Sequence, residues 1–194
     1  MARLPIRIYG DPVLRKKAKP VRAVDAELQA LIEAMIEAMW EDDGAGLAAP
    51  QLGVCARVIV VHPPGREDDE VLRLINPRII AAEGTQQGTE GCLSLPTLRA
   101  EVERHQQVQV EALTPAGEEL TLEAEGLLAR VLQHEIDHLN GVLFIDRADK
   151  DSLSWLVPDV ESEDGFRLEP TTWEEAQRRF ARMRAKHPPK GATD

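Results

Sequence analysis

Gln133-His134-Glu135-Ile136-Asp137-His138 lies near the end of the run GLLARVLQHEIDHL at residues 126–139. Two histidines four residues apart, with a glutamate after the first, form an HExxH pattern. On a helix that spacing sets both imidazoles one turn apart on one face, where they can share a divalent metal. At about 100° per residue, Leu127, Val131, His134 and His138 fall in a narrow arc. Glu135, Leu128, Leu139, Leu132 and Ile136 continue round the same side. Arg130, Gln133, Asp137 and Asn140 share the other, which predicts a mostly buried helix with one polar stripe. Gly141 suits the C-terminal stop. Two inward imidazoles beside an inward carboxylate are costly to bury unless something pairs them, and a metal does so directly. An HExxH pattern also occurs by chance, so the rest of the chain has to decide.

Outward from this helix, Asp11 caps a short helical segment at 12–15, and Asp25 caps a longer one. In the latter, Leu28, Leu31, Ile32, Met35, Ile36, Met39 and Trp40 recur at helical spacing and read as core packing. Residues 44–53, GAGLAAPQLG, break that helix and form a loop. RVIVVH at 57–62 reads as a buried strand, 63–69 as a surface turn, and Cys55 beside the strand as an inert buried thiol. Strands are expected at 71–75, 78–82, 98–104, 108–114 and 119–124, with Pro115-Ala116-Gly117 turning the last pair. Residues 157–170 read as an acidic loop, 171–186 as a final helix with Trp173, Phe180 and Met183 packing, and 187–194 as a frayed tail. Hairpins flanked by helices predict an α+β fold: mostly antiparallel sheets around the HExxH helix, an N-terminal helix pair and a C-terminal helix. Residues 1–150 read as the catalytic domain, and 151–194 as a C-terminal extension of the same domain.

The 194 residues suffice for one domain with a real core. A net charge of −11 argues against a binder of phosphate backbones or specific DNA. No apolar run approaches the roughly 18 residues of a membrane span, and residues 1–14 do not read as a secretory signal. Two cysteines build no disulfide framework, so a reducing cytoplasm is the expected home.

A metal held by HExxH needs at least one more protein ligand: a histidine, a downstream glutamate or a cysteine. His62 and His105 sit in strand-like contexts, and His187 lies in the tail. Cys92 stands in Glu90-Gly91-Cys92-Leu93-Ser94-Leu95-Pro96, where Gly91 permits close backbone approach and Pro96 stops a strand. From the residues alone, Cys92 is either a ligand or a plain buried thiol.

EGCLSLP at 90–96, GAGLAAPQLG at 44–53 and QHEIDH at 133–138 resemble, in order and spacing, the three signature motifs of bacterial peptide deformylase. Gly10-Asp11-Pro12-Val13-Leu14-Arg15 and Ile75-Asn76-Pro77 are also similar to that family, and the resemblance covers residues 4 to 147. It implies a metal held by Cys92, His134 and His138 with water in the fourth position. It implies removal of the formyl group from formyl-methionyl nascent peptides, with formate as product. In that family Glu135 would carry the proton to the leaving amine, while the Gln51 side chain and the Leu93 N–H would steady the oxyanion. Gly46 would offer main-chain hydrogen bonds to an extended peptide. Ala45, Leu93, Leu127 and Val131 would form the methionine pocket, and Arg99 would meet the backbone of longer peptides. Fe²⁺ is the metal expected in vivo, with Zn²⁺, Ni²⁺ or Co²⁺ possible. Arg178, Arg179, Arg182 and Arg184 form either a solvated face or a contact to the ribosome. The rival readings are a zinc endopeptidase, which usually takes His or Glu as third ligand, and a non-catalytic module stapled by a closed metal site.

Overall fold

A computed structural model of the chain describes residues 4–65, 70–162 and 164–186. A 3-10 turn at Pro12–Arg15 is capped by Asp11, which accepts from the Val13 N–H at 3.0 Å. Helix α1 spans Ala26–Glu41, and Asp25 caps it through the Leu28 N–H at 2.9 Å. Its Leu28, Ile32, Met35 and Met39 are buried, as their spacing requires. The strands are β1 (Gly46–Ala48), β2 (Val58–Val61), β3 (Leu72–Glu83), β4 (Gln86–Cys92), β5 (Leu95–Arg104), β6 (Gln107–Leu113) and β7 (Glu119–Glu125). Helix α2 (Gly126–Leu139) follows, then β8 (Ser154–Pro158), β9 (Phe166–Pro170) and α3 (Trp173–Lys186).

The strands form two antiparallel sheets, one ordered β1-β2-β3-β6-β7 and the other β4-β5-β8-β9. Ala129, Leu132, Ile136 and Leu139 of α2 pack with Ile59, Leu74 and Val110 of the five-stranded sheet. Helix α1 packs with Leu47, Val58 and Val60. The four-stranded sheet builds a further core in which Leu98 meets Phe144, Trp155, Ala176 and Phe180. The C-terminal segment thus shares a core with β5.

The α+β fold around the HExxH helix is the one expected; several local readings need correction. Residues 71–75 and 78–82 belong to one strand, β3, interrupted by a register shift between Ile75 and Arg78. At that bulge Asn76 has φ +54°, and its side chain accepts from Val21 N–H (2.8 Å) and donates to Val21 C=O (2.9 Å). Residues 86–92 form a strand despite their polar, glycine-containing sequence, because β5 pairs along their whole length. Pro96 lies inside β5 instead of stopping a strand. The loop 44–53 contains the paired strand β1 and a buried 3-10 turn at Ala49–Leu52. The acidic loop at 157–170 holds the end of β8 and all of β9. Cys55 is half-buried, not buried. The tail at 187–194 and most of the turn at 63–69 lie outside the described residues.

Candidate metal centre

Helix α2 carries His134 (8% exposed), Glu135 (4%) and His138 (1%). The imidazole centroids of His134 and His138 lie 5.0 Å apart. Cys92 arrives from the tight β4–β5 connection, where it pairs with Leu95 just past a register shift. Its Sγ lies 3.2 Å from His138 Nε2. One ligating atom from each of Cys92, His134 and His138 can be chosen so that all lie within 4.8 Å of one another. Bonds of about 2.0–2.3 Å in a tetrahedral site place ligand atoms roughly 3.3–3.8 Å apart. A soft thiolate and two imidazoles also suit a first-row divalent ion. The three residues therefore fit a metal.

The other expected residues gather at the same place. A cavity of about 560 Å³ is lined by Ala45, Gly46, Gln51, Cys92, Leu93, Arg99, Leu127, Val131, His134 and Glu135. Of the expected site residues only His138 is absent from its walls. Gln51 is held by its own loop: its Oε1 accepts from the Ala48 N–H at 2.8 Å. That leaves its Nε2 to face Ser94 Oγ (3.3 Å) and Cys92 Sγ (3.5 Å). Gly46 packs so closely on α2 that an added Cβ would lie 2.8 Å from Glu135 Oε1 and 3.0 Å from Val131 Cγ1. Arg99 lies across Gly91, where a Cβ would clash with its guanidinium, and donates to the Leu98 carbonyl at 3.0 Å. Leu127 stands at the rim, 57% exposed.

The polar stripe of α2 faces the protein. Arg130, Gln133 and Asp137 are all buried, and only Asn140 is exposed. Glu90, 5% exposed, is the hub. It accepts from Arg104 Nε and Nη2 (both 2.9 Å), from Arg130 Nη1 (2.7 Å), and from His134 Nδ1 (2.9 Å). Arg104 also bonds Asp137, which accepts from Arg147 Nε (2.6 Å) and Nη2 (2.8 Å). The Glu90 bond occupies His134 Nδ1 and leaves Nε2 for a metal, the usual outer partner of a ligating histidine. Burial pushes the Glu90 carboxyl upward, but hydrogen bonds from Arg104 and His134 outweigh it and hold Glu90 well below the usual carboxylate range. For His134, burial opposes protonation, while Cys92 and Glu90 overcome it and raise its pKa. For His138, burial comes first and the neighbouring His134 second; both lower it. Burial pushes the Glu135 carboxyl up to about 7.

The family profile described as polypeptide deformylase matches residues 3–153. The chain belongs to the polypeptide deformylase family. It is 51% identical over 151 residues to the peptide deformylase of Natranaerobius thermophilus, covering 77% of this chain and 95% of that one. Among solved structures, the peptide deformylase of Thermus thermophilus aligns with a TM-score of 0.71 at 49% identity, over 75% of this chain and 86% of that one. The peptide deformylase of Legionella pneumophila aligns with a TM-score of 0.78 at 37% identity, over 96% of this chain and all of that one. The likeness to that structure therefore extends beyond residue 153 into the C-terminal segment. For a deformylase-family chain, the residues that sequence reasoning missed are those of the ionic network: the buried Glu90, Arg104, Arg130 and Asp137, with the exposed Arg147 at its edge. Glu90 opens the EGCLSLP motif. The arginines carry no signal until β4, β5 and α2 are brought together.

Proposed function

We propose that this chain removes the N-terminal formyl group from formyl-methionyl nascent peptides, releasing formate, with Cys92, His134 and His138 holding one divalent metal. The juxtaposition of those three ligand atoms, at the wall of a cavity that Cys92, His134 and the buried Glu135 line, carries this reading. A bound ion supplies Lewis acidity toward the formyl carbonyl and toward water. Glu135 is the proton carrier: it is buried in the cavity beside the ligands, and its Oε2 has no hydrogen-bond partner among the described residues, so that oxygen is free to take a proton and pass it on. The Gln51 amide, pinned through its oxygen, turns its N–H groups toward the site, and with the Leu93 N–H it steadies the negative charge that develops on the formyl oxygen.

Strand β1 is the outer strand of its sheet and lines the cavity through Gly46. An extended peptide adds along that edge through the Gly46 backbone. Ala45, Leu93, Leu127 and Val131 receive the methionine side chain, and Arg99 meets the backbone further along. Fe²⁺ is the working metal, and Zn²⁺, Ni²⁺ and Co²⁺ fit the same ligands, Zn²⁺ more tightly than Fe²⁺. The enzyme works in the cytoplasm, where Cys92 stays reduced. Among the described residues, no helix is long and apolar enough to cross a membrane. The assignment of the C-terminal extension to the catalytic domain is supported by Leu153, Trp155, Ala176 and Phe180, which share a core with Leu98 of β5. In α3, Arg179 lies over the Trp155 ring at 4.1 Å and Arg184 donates to the Gly10 carbonyl at 2.7 Å, leaving Arg178 and Arg182 as the exposed candidates for ribosome contact.

The test is formate release from formyl-Met-Ala-Ser by protein purified anaerobically and loaded with Fe²⁺. Activity is expected on that peptide and none on an internal peptide bond. Glu135→Gln should keep the metal and lose turnover. Cleavage of only the internal peptide, or full activity of the Gln variant, would overturn the assignment.

A further inference from the structure

Six large apolar side chains stand exposed among the described residues, and three of them, Val160, Phe166 and Leu168, lie on or next to the β8–β9 hairpin. Strand β9 is the outer strand of its sheet, and all five of its residues are exposed. The Asp159 N–H donates to the Gly165 carbonyl at 2.8 Å, and the Thr171 N–H to the Leu153 carbonyl at 2.9 Å. Antiparallel ladders alternate hydrogen-bonded and non-bonded pairs. Val157–Arg167 and Trp155–Glu169 are therefore the bonded pairs of this hairpin, while Leu156–Leu168, Pro158–Phe166 and Ser154–Pro170 are non-bonded. Both prolines fall where a missing N–H costs the ladder nothing. The N–H and C=O groups of Phe166 and Leu168 consequently point away from β8, along an edge that pairs with no other strand among the described residues.

We propose that β9 pairs with β9 of a second copy of this chain, antiparallel and centred on Leu168. In that register Leu168 exchanges two backbone hydrogen bonds with the partner's Leu168. The Phe166 N–H donates to the carbonyl of the partner's Pro170, a contact that needs no N–H from proline. Arg167 falls opposite the partner's Glu169, twice by symmetry, in the non-bonded pairs whose side chains approach most closely. Centring on Phe166 instead would set Arg167 against the partner's Gly165 and leave the charges unmatched. Among the described residues of one copy, the ion pairs of Arg167 are long and half-exposed, 3.7 Å to Asp159 and 3.7 Å to Glu169, so they compete weakly with pairing across the seam. The interface is isologous, with one self-complementary patch on each copy. A five-residue seam is small, so the dimer is reversible and concentration-dependent, not obligate.

The experiment is sedimentation equilibrium of the metal-loaded full chain over a wide concentration range, joined to hydrogen exchange of the β9 amides. The expected result is a monomer–dimer equilibrium that weakens at high salt, with the amides of Phe166 and Leu168 gaining protection as concentration rises. Arg167→Glu and Glu169→Arg should each weaken the dimer by about tenfold, and the double variant should recover most of that loss. Leu168→Pro removes an outward N–H that β8 does not use. It should abolish the dimer while leaving deformylation and thermal unfolding of the monomer unchanged. A chain that stays monomeric throughout, or a dimer indifferent to both the charge swap and Leu168→Pro, would overturn the proposal.

Discussion

Replacing Glu90 with glutamine should damage both the fold and the metal site. The carboxylate accepts four hydrogen bonds, two on each oxygen: Arg104 Nε and Arg130 Nη1 on Oε1, Arg104 Nη2 and His134 Nδ1 on Oε2. Whichever way the amide is turned, its NH₂ meets two donors; the buried Arg130 guanidinium loses its counter-charge and Arg104 keeps only Asp137. Breaking a buried ion pair from one side costs about 3–5 kcal/mol. For a chain of this size each kcal/mol moves the unfolding midpoint by about 2–4 °C, so Tm should fall by roughly 6–20 °C. If the NH₂ takes the Oε2 position, His134 loses its acceptor as well, and loss of such an outer-shell bond lowers metal affinity by about 10–100-fold. Differential scanning calorimetry reads the first effect, and competition with a chromophoric chelator reads the second. Glu103→Gln is the control: Glu103 is exposed and its side chain accepts from Gln87 Nε2 at 3.1 Å, so the change should alter stability by no more than about 0.5 kcal/mol. A Glu90→Gln protein within about 1 kcal/mol of the parent and equally tight for metal would refute the claim that this network holds the site.

Three further outcomes follow from particular contacts. Gly46→Ala places a methyl 2.8 Å from Glu135 Oε1 and 3.0 Å from Val131 Cγ1; displacing the carboxylate should cut turnover of a formyl-Met peptide by about 100-fold with metal content unchanged. Gly141 has φ +73°, and a Cβ there would lie 2.6 Å from the Arg15 carbonyl oxygen, so Gly141→Ala should lower stability in urea by about 1–3 kcal/mol. Burial tends to raise the Asp146 carboxyl, but the Arg15 guanidinium and the Leu143 N–H overcome this and depress it. The stabilisation from that carboxylate is therefore complete above its unfolded pKa and lost as pH falls through the lower folded value. Because the Arg15–Asp146 pair is well exposed, the effect should be small, about 1 kcal/mol or less. The stability gap between the parent and Asp146→Asn should shrink steadily on acidification below about pH 4.

Helical spacing makes α1 and α2 legible because both bury a continuous apolar arc. It also turns His134 and His138 inward together, and the order of the three motifs brings Cys92 and Gln51 to them. The opposite stripe of α2 is illegible for a physical reason. Arg130, Gln133 and Asp137 look like a solvated face until Glu90 from β4 and Arg104 from β5 arrive to neutralise and cover them. The sequence of β4, with Gln86, Gln87, Gly88, Thr89 and Gly91, has poor strand propensity; pairing with β5 overrides it. Strand β9 reads as loop because it is short, flanked by acidic residues and exposed on all five positions, so it lacks the buried alternation that marks a strand.

X-ray absorption at the metal edge of the Fe²⁺- or Co²⁺-loaded chain tests the central claim most directly. The predicted sphere contains one sulfur and two imidazole nitrogens, at distances near the roughly 2.3 Å and 2.0–2.1 Å typical of such ligands, and the sulfur contribution disappears in Cys92→Ala. A sphere built only from nitrogen and oxygen in the parent protein would contradict it.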